Sequence, residues 1–224
     1  MGSECSTGIA IIAAAGHGRR FGAKKQFLEI DGKPVYYYSI EAFRSFAEHI
    51  FLVVPEEDAD TVEAYGSIVI PGGEKRYDSI YEAIKIIDRD IHPDKDTIVM
   101  IHDGARPVID ASTIKAVIDD TKTEGAAVAT IPVTDTIRTI EGELIDRSRL
   151  RAMQTPQAFK WYIIKPAYDK FMALPREARN SMHVTDDVQV VEQMLGIRSR
   201  MSEGNPKNIK ITTPEDVELV SLGK

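Results

Sequence analysis

Cysteine is nearly absent. The single copy, Cys5, lies in a polar N-terminal stretch, so neither an intrachain disulfide nor a cysteine-rich zinc site is available. That scarcity fits a reducing, cytoplasmic setting. Long apolar runs are missing too. The longest, residues 9–15 and 50–55, fall far short of the roughly 20 residues a membrane-spanning helix needs. Residues 1–8 lack the charged-then-apolar layout of a signal peptide and read as a flexible tail. Positive charge is in deficit: 28 Lys and Arg stand against 35 Asp and Glu, a net charge of −7. A general nucleic-acid binder carries the opposite excess, so nucleic acid and membrane are both excluded as expected partners. No Gly-x-Ser-x-Gly elbow, no His-Glu-x-x-His pair, no internal repeat and no low-complexity linker occur.

What is present is an ordinary globular composition, with 43% hydrophobic residues in a chain of 224. That length buries a sizeable core without metal or disulfide support and suits one domain, here residues 1–224. Short β-rich runs alternate with helical spacing. Strands are expected at residues 9–14, 50–54, 67–70, 97–101 and 126–131. Helices are expected at 33–46, 56–65, 75–91 and 111–124. This alternation implies an α/β fold with a mostly parallel twisted sheet covered by helices. Residues 132–151 break the rhythm, with β-like pieces at 136–140 and 143–145 around Gly142. They read as a protruding β-arm, serving either an interface or solvent. Helices follow at 161–174 and 186–195, then a strand at 209–212 and a closing helix in which Thr213 caps and Pro214 fits the first turn.

The chemistry gathers in loops after strands, where open α/β sheets bind ligands. The first strand runs into Ala14-Ala15-Gly16-His17-Gly18-Arg19-Arg20-Phe21-Gly22-Ala23-Lys24-Lys25-Gln26. Phe21 stands where a dinucleotide fingerprint needs its third glycine, and no window fits a P-loop. Instead, glycines that let the backbone approach a phosphate are joined by Arg19, Arg20, Lys24 and Lys25. Four cations on one loop of an acidic protein point to a polyphosphate. Gly72 and Gly73 again follow a strand and open a helix whose Arg76 and Ser79 share a face, either a second ligand loop or a plain turn. His102-Asp103-Gly104-Ala105-Arg106-Pro107 follows the fourth strand. Asp103 there suits Mg²⁺ or a sugar hydroxyl, or else caps a turn with Arg106. His102 reads as structural. Asp186 and Asp187 read as a helix start, and Lys210 points either to water or into a site. By physics alone, Gln154-Thr155-Pro156-Gln157 carries no motif meaning.

Together these segments resemble one family, the 2-C-methyl-D-erythritol 4-phosphate cytidylyltransferases of the non-mevalonate isoprenoid pathway. AAAGHGRRFGAKKQF, GGEKRYDS, HDGARP, PVTDT, DRSRLRAMQTPQAF, VTDD and NIKITTPED occur in family order from residue 13 to residue 216. The resemblance implies a nucleotidyltransferase fold of the glycosyltransferase-A type, dimeric through the 132–151 arm. It implies CTP and methylerythritol phosphate as substrates and Mg²⁺ as cofactor. Ribitol 5-phosphate cytidylyltransferase is the alternative. The resemblance gives Arg20, Lys25 and Lys210 catalytic roles. It assigns Ala14, Ala15, Gly16, Gly18, Gly73, Arg76 and Ser79 to CTP. Asp103, Arg106, Thr136 and Arg147 go to the alcohol phosphate, Arg147 reaching across from the neighbouring subunit. Lys24 occupies the family's usual proline position and rivals Lys25.

Overall fold

A computed structural model describes residues 8–16 and 24–222 of the chain. Eleven strands and seven α-helices are found among them. The strands are β1 (Gly8–Ala13), β2 (Glu29–Ile30), β3 (Lys33–Pro34), β4 (His49–Val54), β5 (Ile68–Pro71), β6 (Ile98–Asp103), β7 (Ala126–Pro132), β8 (Ile137–Arg138), β9 (Leu144–Ile145), β10 (Arg151–Lys160) and β11 (Arg200–Glu203). The helices are α1 (Val35–Phe43), α2 (Arg76–Ile86), α3 (Ala111–Glu124), α4 (Trp161–Met172), α5 (Arg176–Ser181), α6 (Asp187–Leu195) and α7 (Pro214–Leu222). Seven strands form one sheet in the order β11-β7-β10-β6-β1-β4-β5. Every pairing in it is parallel except those of β10, which runs antiparallel to both β6 and β7. The mostly parallel α/β expectation holds.

The sheet forms where the sequence is apolar on both faces. Successive side chains of a strand point to opposite sides, so a strand covered on both must be apolar throughout. Ile9 and Ile11 of β1, with Phe51 and Val53 of β4, pack under α2, α4 and α6. Ala10 and Ile12, with Leu52 and Val54, pack under α1 and α3. A smaller cluster of Ile30, Val35, Ile211 and Val220 ties the β2–β3 hairpin to the C-terminal helix. No helix among the described residues is long and apolar enough to cross a membrane.

Several expected elements differ. The 33–46 helix begins only at Val35, because Pro34 is extended and sits at the N-cap rather than in the first turn. The 56–65 helix is reduced to a single 3-10 turn, Glu56–Asp58, whose Glu57 and Asp58 pair with Lys24. The 75–91 helix is α-helical to Ile86, then widens into a π turn over Ile87–Ile91 that stops at left-handed His92. Pro93 follows, and the residue before proline is disfavoured in the α region. Residues 209–212 form no strand, although Ile211 N–H still donates to the Ala105 carbonyl at 2.9 Å. Strands β10 and β11 and helix α5 were not expected. β10 was hidden by polar Gln154, Thr155 and Gln157, all buried in the sheet. β11 was hidden because three of its four side chains are exposed at the sheet edge. The 132–151 excursion does carry a hairpin, but its strands β8 and β9 are two residues each.

Candidate active site

Parallel strands bring their carboxyl ends to one edge of the sheet, and the loops leaving β1, β5 and β6 meet there. Small residues set how close they come. A Cβ added at Gly72 would stand 2.6 Å from Ala15 Cβ, 2.8 Å from Ser79 Oγ and 3.1 Å from the Val54 carbonyl. One added at Gly104 would stand 3.1 Å from Ala14 Cβ. Gly73 N–H donates to Ser79 Oγ at 3.1 Å, and that buried hydroxyl donates to the Lys75 carbonyl at 3.1 Å. The Gly72–Gly73 turn is therefore clamped onto the start of α2 and against the β1 loop. Arg19, Arg20 and Gly18 lie outside the described residues, so the structure does not place them. The end of their loop is placed: Gln26, buried, donates from Nε2 to the Gly16 carbonyl at 2.9 Å and closes the loop at its base. Lys24 Nζ stands 2.5 Å from Asp58 and 2.8 Å from Glu57. These hydrogen bonds raise its pKa above the usual lysine value. Lys24 is thus held by two carboxylates of the Glu56–Asp58 turn.

The charged core of the site is Asp103, at the carboxyl end of β6. Its Oδ2 lies 2.8 Å from Lys210 Nζ and 3.7 Å from Arg106 Nε, and its Oδ1 lies 3.6 Å from Arg76 Nε. Burial pushes the Asp103 pKa up, but Lys210, Arg76 and Arg106 outweigh burial and hold it far below the ordinary carboxylate range. Lys210 points into the site, opposite to Ile211, which is fully buried in the small cluster. Arg106 also donates to the Asn208 carbonyl at 2.6 Å. Arg76, assigned to CTP by the resemblance, is paired with two carboxylates here. Its NH1 lies 2.7 Å from Asp187 Oδ2. Three cations against two carboxylates leave one net positive charge facing the crevice, inside an acidic protein.

A chain of hydrogen bonds holds Asp103 in place and fixes the state of His102. Asp103 N–H donates to Thr155 Oγ1 at 3.1 Å, so the threonine hydroxyl is left to donate to His102 Nδ1 at 3.0 Å. His102 Nε2–H then donates to the Arg106 carbonyl at 3.1 Å. The ring is the neutral Nε2–H tautomer, fully buried, and burial pushes its pKa down to about 4. His102 is structural, as expected from the sequence.

Four further residues that shape the site escaped the sequence reading. Thr155 supports Asp103, and Asn208 donates to the Thr155 carbonyl at 2.8 Å. Gln157 Oε1 accepts from Asp187 N–H at 2.9 Å and Val188 N–H at 3.0 Å. Asp187, read as part of a helix cap, is fully buried against Arg76, while Asp186 alone does the capping by accepting from Gln189 N–H at 2.9 Å. Only the density of amide and hydroxyl side chains between 154 and 157 could have signalled a buried polar strand. Thr136 and Arg147 lie elsewhere, exposed on the arm, where Arg147 donates to the Thr134 carbonyl.

The described residues around Asp103 do not by themselves make a site for a resident divalent cation. Among the described residues no group of three His, Cys, Asp or Glu side chains could hold one. Asp103, the expected ligand, already faces three cations, which would repel a metal ion.

The His102 network makes a pH prediction. The unfolded chain takes up a proton near the ordinary value of 6.5, and the folded ring only near 4. Stability supplied by His102 is therefore complete above that ordinary value and is lost as pH falls through the window, by about 3 kcal/mol in full. In an NMR titration the His102 ring is expected to stay neutral down to pH ~5. A midpoint near 6.5 would contradict the assignment.

Comparison with known proteins agrees with this geometry. The sequence profile of the 2-C-methyl-D-erythritol 4-phosphate cytidylyltransferase family matches residues 9–222. A 2-C-methyl-D-erythritol 4-phosphate cytidylyltransferase of Bacillus velezensis is 37% identical, over 93% of this chain and 92% of that protein. The Clostridium perfringens protein of the same name is 38% identical, over 94% and 96%. The crystal structure of 2-C-methyl-D-erythritol 4-phosphate cytidylyltransferase from Thermus thermophilus superposes with a TM-score of 0.78 at 28% identity, covering 97% of this chain and 98% of that one. Matched along residues 9–222 and by relatives more than one third identical over nearly their whole length, the chain belongs to the 2-C-methyl-D-erythritol 4-phosphate cytidylyltransferase family.

Proposed function

We propose that the crevice transfers the cytidylyl group of CTP to 2-C-methyl-D-erythritol 4-phosphate in isoprenoid biosynthesis. The products are 4-diphosphocytidyl-2-C-methyl-D-erythritol and pyrophosphate. Family membership carries this reading, and it does not favour ribitol 5-phosphate as the acceptor. The site observation that supports it is Asp103 holding Arg76, Arg106 and Lys210 together beside two glycine loops. An oxygen of the alcohol phosphate forms a bond to the α-phosphorus of CTP. The bond from that phosphorus to the bridging oxygen breaks, and pyrophosphate leaves with the electron pair. The attacking oxygen is already anionic at neutral pH, so no general base is required. Catalysis is then positioning and charge stabilisation.

The resemblance to the family supplies the residue roles of this reading. Ala14, Ala15, Gly16 and Gly18 present backbone to the CTP phosphates, and Gly73 and Ser79 shape the cytosine end. Arg20, Lys25 and Lys210 stabilise the charge developing at the α-phosphate. Arg106 and Asp103 order the acceptor side, with Arg76 held between Asp103 and Asp187. Mg²⁺ enters as the counter-ion of CTP, part of the substrate rather than a resident of the site. A reducing, cytoplasmic compartment suits a chain with one cysteine.

The arm supports a homodimer. Hairpins of two-residue strands are not stable alone, and this one leaves Ile140 wholly exposed and Leu144 60% exposed. Burial of these side chains against a second copy would order the arm and carry Thr136 and Arg147 to the neighbour's acceptor phosphate.

Two experiments test this account. In a pyrophosphate-release assay crossing CTP, UTP and ATP against methylerythritol 4-phosphate and ribitol 5-phosphate, only CTP with methylerythritol phosphate is expected to react. In the same assay Arg20→Ala and Lys25→Ala are expected to lower turnover at least ~10²-fold, about 3 kcal/mol of transition-state stabilisation. Lys24→Ala is expected to cost far less. A silent Lys24→Ala beside an active Lys25→Ala would reverse the two assignments. Arg147→Ala is expected to raise KM for the alcohol phosphate. Mixing it with an Arg20→Ala subunit should restore activity, since one site of each mixed dimer is intact. No recovery would remove Arg147 from the neighbour's site.

A further inference from the structure

We infer that Asp187 is a positioning residue for cytidylyl transfer, acting through Arg76 to fix where the Asp103–Lys210 pair stands. The inference rests on the cytidylyl-transfer reading of the crevice. Asp187 is fully buried, and α6 does not need it as a cap, because Asp186 fills that place. A carboxylate taken out of water is costly unless it is paired and hydrogen-bonded. The Asp187 carboxylate has an ion pair on one oxygen and a hydrogen bond on the other, and the backbone of Asp187 is held as well. Oδ2 lies 2.7 Å from Arg76 NH1, Oδ1 accepts from the Tyr168 hydroxyl at 2.5 Å, and its own N–H donates to Gln157 Oε1 at 2.9 Å. Tyr168 is itself fully buried, stacked on Tyr81 of α2 with ring planes 9° apart.

The geometry gives Arg76 two edges with two tasks. NH1 is committed to Asp187, in the layer of α4 and α6. Nε faces Asp103 Oδ1 at 3.6 Å, in the crevice. Arg76 is partly exposed, and a long side chain on the first turn of a helix has many rotamers. Asp187 removes that freedom, because Tyr168 of α4 anchors its carboxylate and Gln157 of β10 anchors its backbone, and neither can follow a rotating guanidinium. Burial raises the pKa of Asp187, against the pull of Arg76 and Tyr168, so its charge depends on those two partners. Loss of Asp187 frees Arg76 to pair more closely with Asp103, which draws the carboxylate away from Lys210. A lysine that acts on phosphate is then misplaced, with no contact between Asp187 and substrate.

The test is steady-state kinetics of the full chain, with CTP and methylerythritol phosphate, on a double-mutant cycle. Asp187→Asn keeps the shape and the Tyr168 and Gln157 contacts but removes the charge. It is expected to lower kcat at least tenfold while changing KM for CTP less than threefold. Tyr168→Phe is expected to move kcat the same way by a smaller factor. On an Arg76→Lys background neither change should cost anything further, because the residue it acts through is already altered. Multiplicative losses on that background, or a lowered Tm with kcat unchanged, would overturn the inference. If Asp187→Asn does not fold, Tyr168→Phe carries the same two readings. A wild-type chain that releases no pyrophosphate would sink the cytidylyl-transfer reading itself. An active wild type with an indifferent Asp187→Asn would sink only the relay.

Discussion

The pairing of one buried carboxylate with three cations organises this structure. Asp103 brings Arg76 from the start of α2, Arg106 from the β6 loop and Lys210 from the C-terminal segment to within 3.7 Å. Arg76 is held also by Asp187 and Arg106 by the Asn208 carbonyl, but Asp103 is the group that touches all three and offsets their mutual repulsion. Removing one member of a buried ion pair costs about 3–5 kcal/mol, because the partner charges are left uncompensated. On the proposed cytidylyl-transfer reading, cations that already stand together leave less reorganisation to oppose phosphate binding.

Everything around the cluster keeps Asp103 from moving. Its N–H is held through Thr155 to a histidine that is buried and uncharged. Asn208 holds Thr155, and Arg106 returns to Asn208. The antiparallel strand β10 supplies Thr155 to this chain of bonds and buries Gln154 and Gln157 beside it, which explains how a polar strand survives within an apolar sheet. Each amide and hydroxyl it buries finds a partner: Gln154 in the Asn205 carbonyl, Thr155 in Asp103 and His102 of β6, and Gln157 at the start of α6. The single reversal of strand direction is therefore also what knits the site.

This division explains what could be read from the sequence. Strands β1, β4, β6 and β7 announce themselves as apolar runs, and α3 was legible at both ends because Asp110 caps it and Gly125 closes it in a left-handed turn. Glycines after strands marked the crevice correctly, and Asp103 and Lys210 were singled out before they were seen to touch. Strand β10 was not legible, since its pattern matches no burial period and its justification lies in residues about 50 positions away, such as Asn205 and His102. Asp187 was read locally as a helix cap for the same reason. Its partners Arg76 and Tyr168 are distant in sequence, and a buried charge looks like a surface one until they are known. Residues of the arm, Thr136 and Arg147, were named through resemblance alone, and a single chain offers them no substrate-side partner.

The measurement that bears most directly on the central pairing is turnover of an Asp103→Asn chain, compared with wild type at matched folded fraction. The carboxamide keeps the shape and removes the charge that gathers Arg76, Arg106 and Lys210. The account predicts a fall in kcat/KM for methylerythritol phosphate of at least ~10²-fold, about 3 kcal/mol, with the sheet intact by circular dichroism. A variant within threefold of wild type would mean that the three cations hold their places without Asp103, and the account would be wrong at its centre.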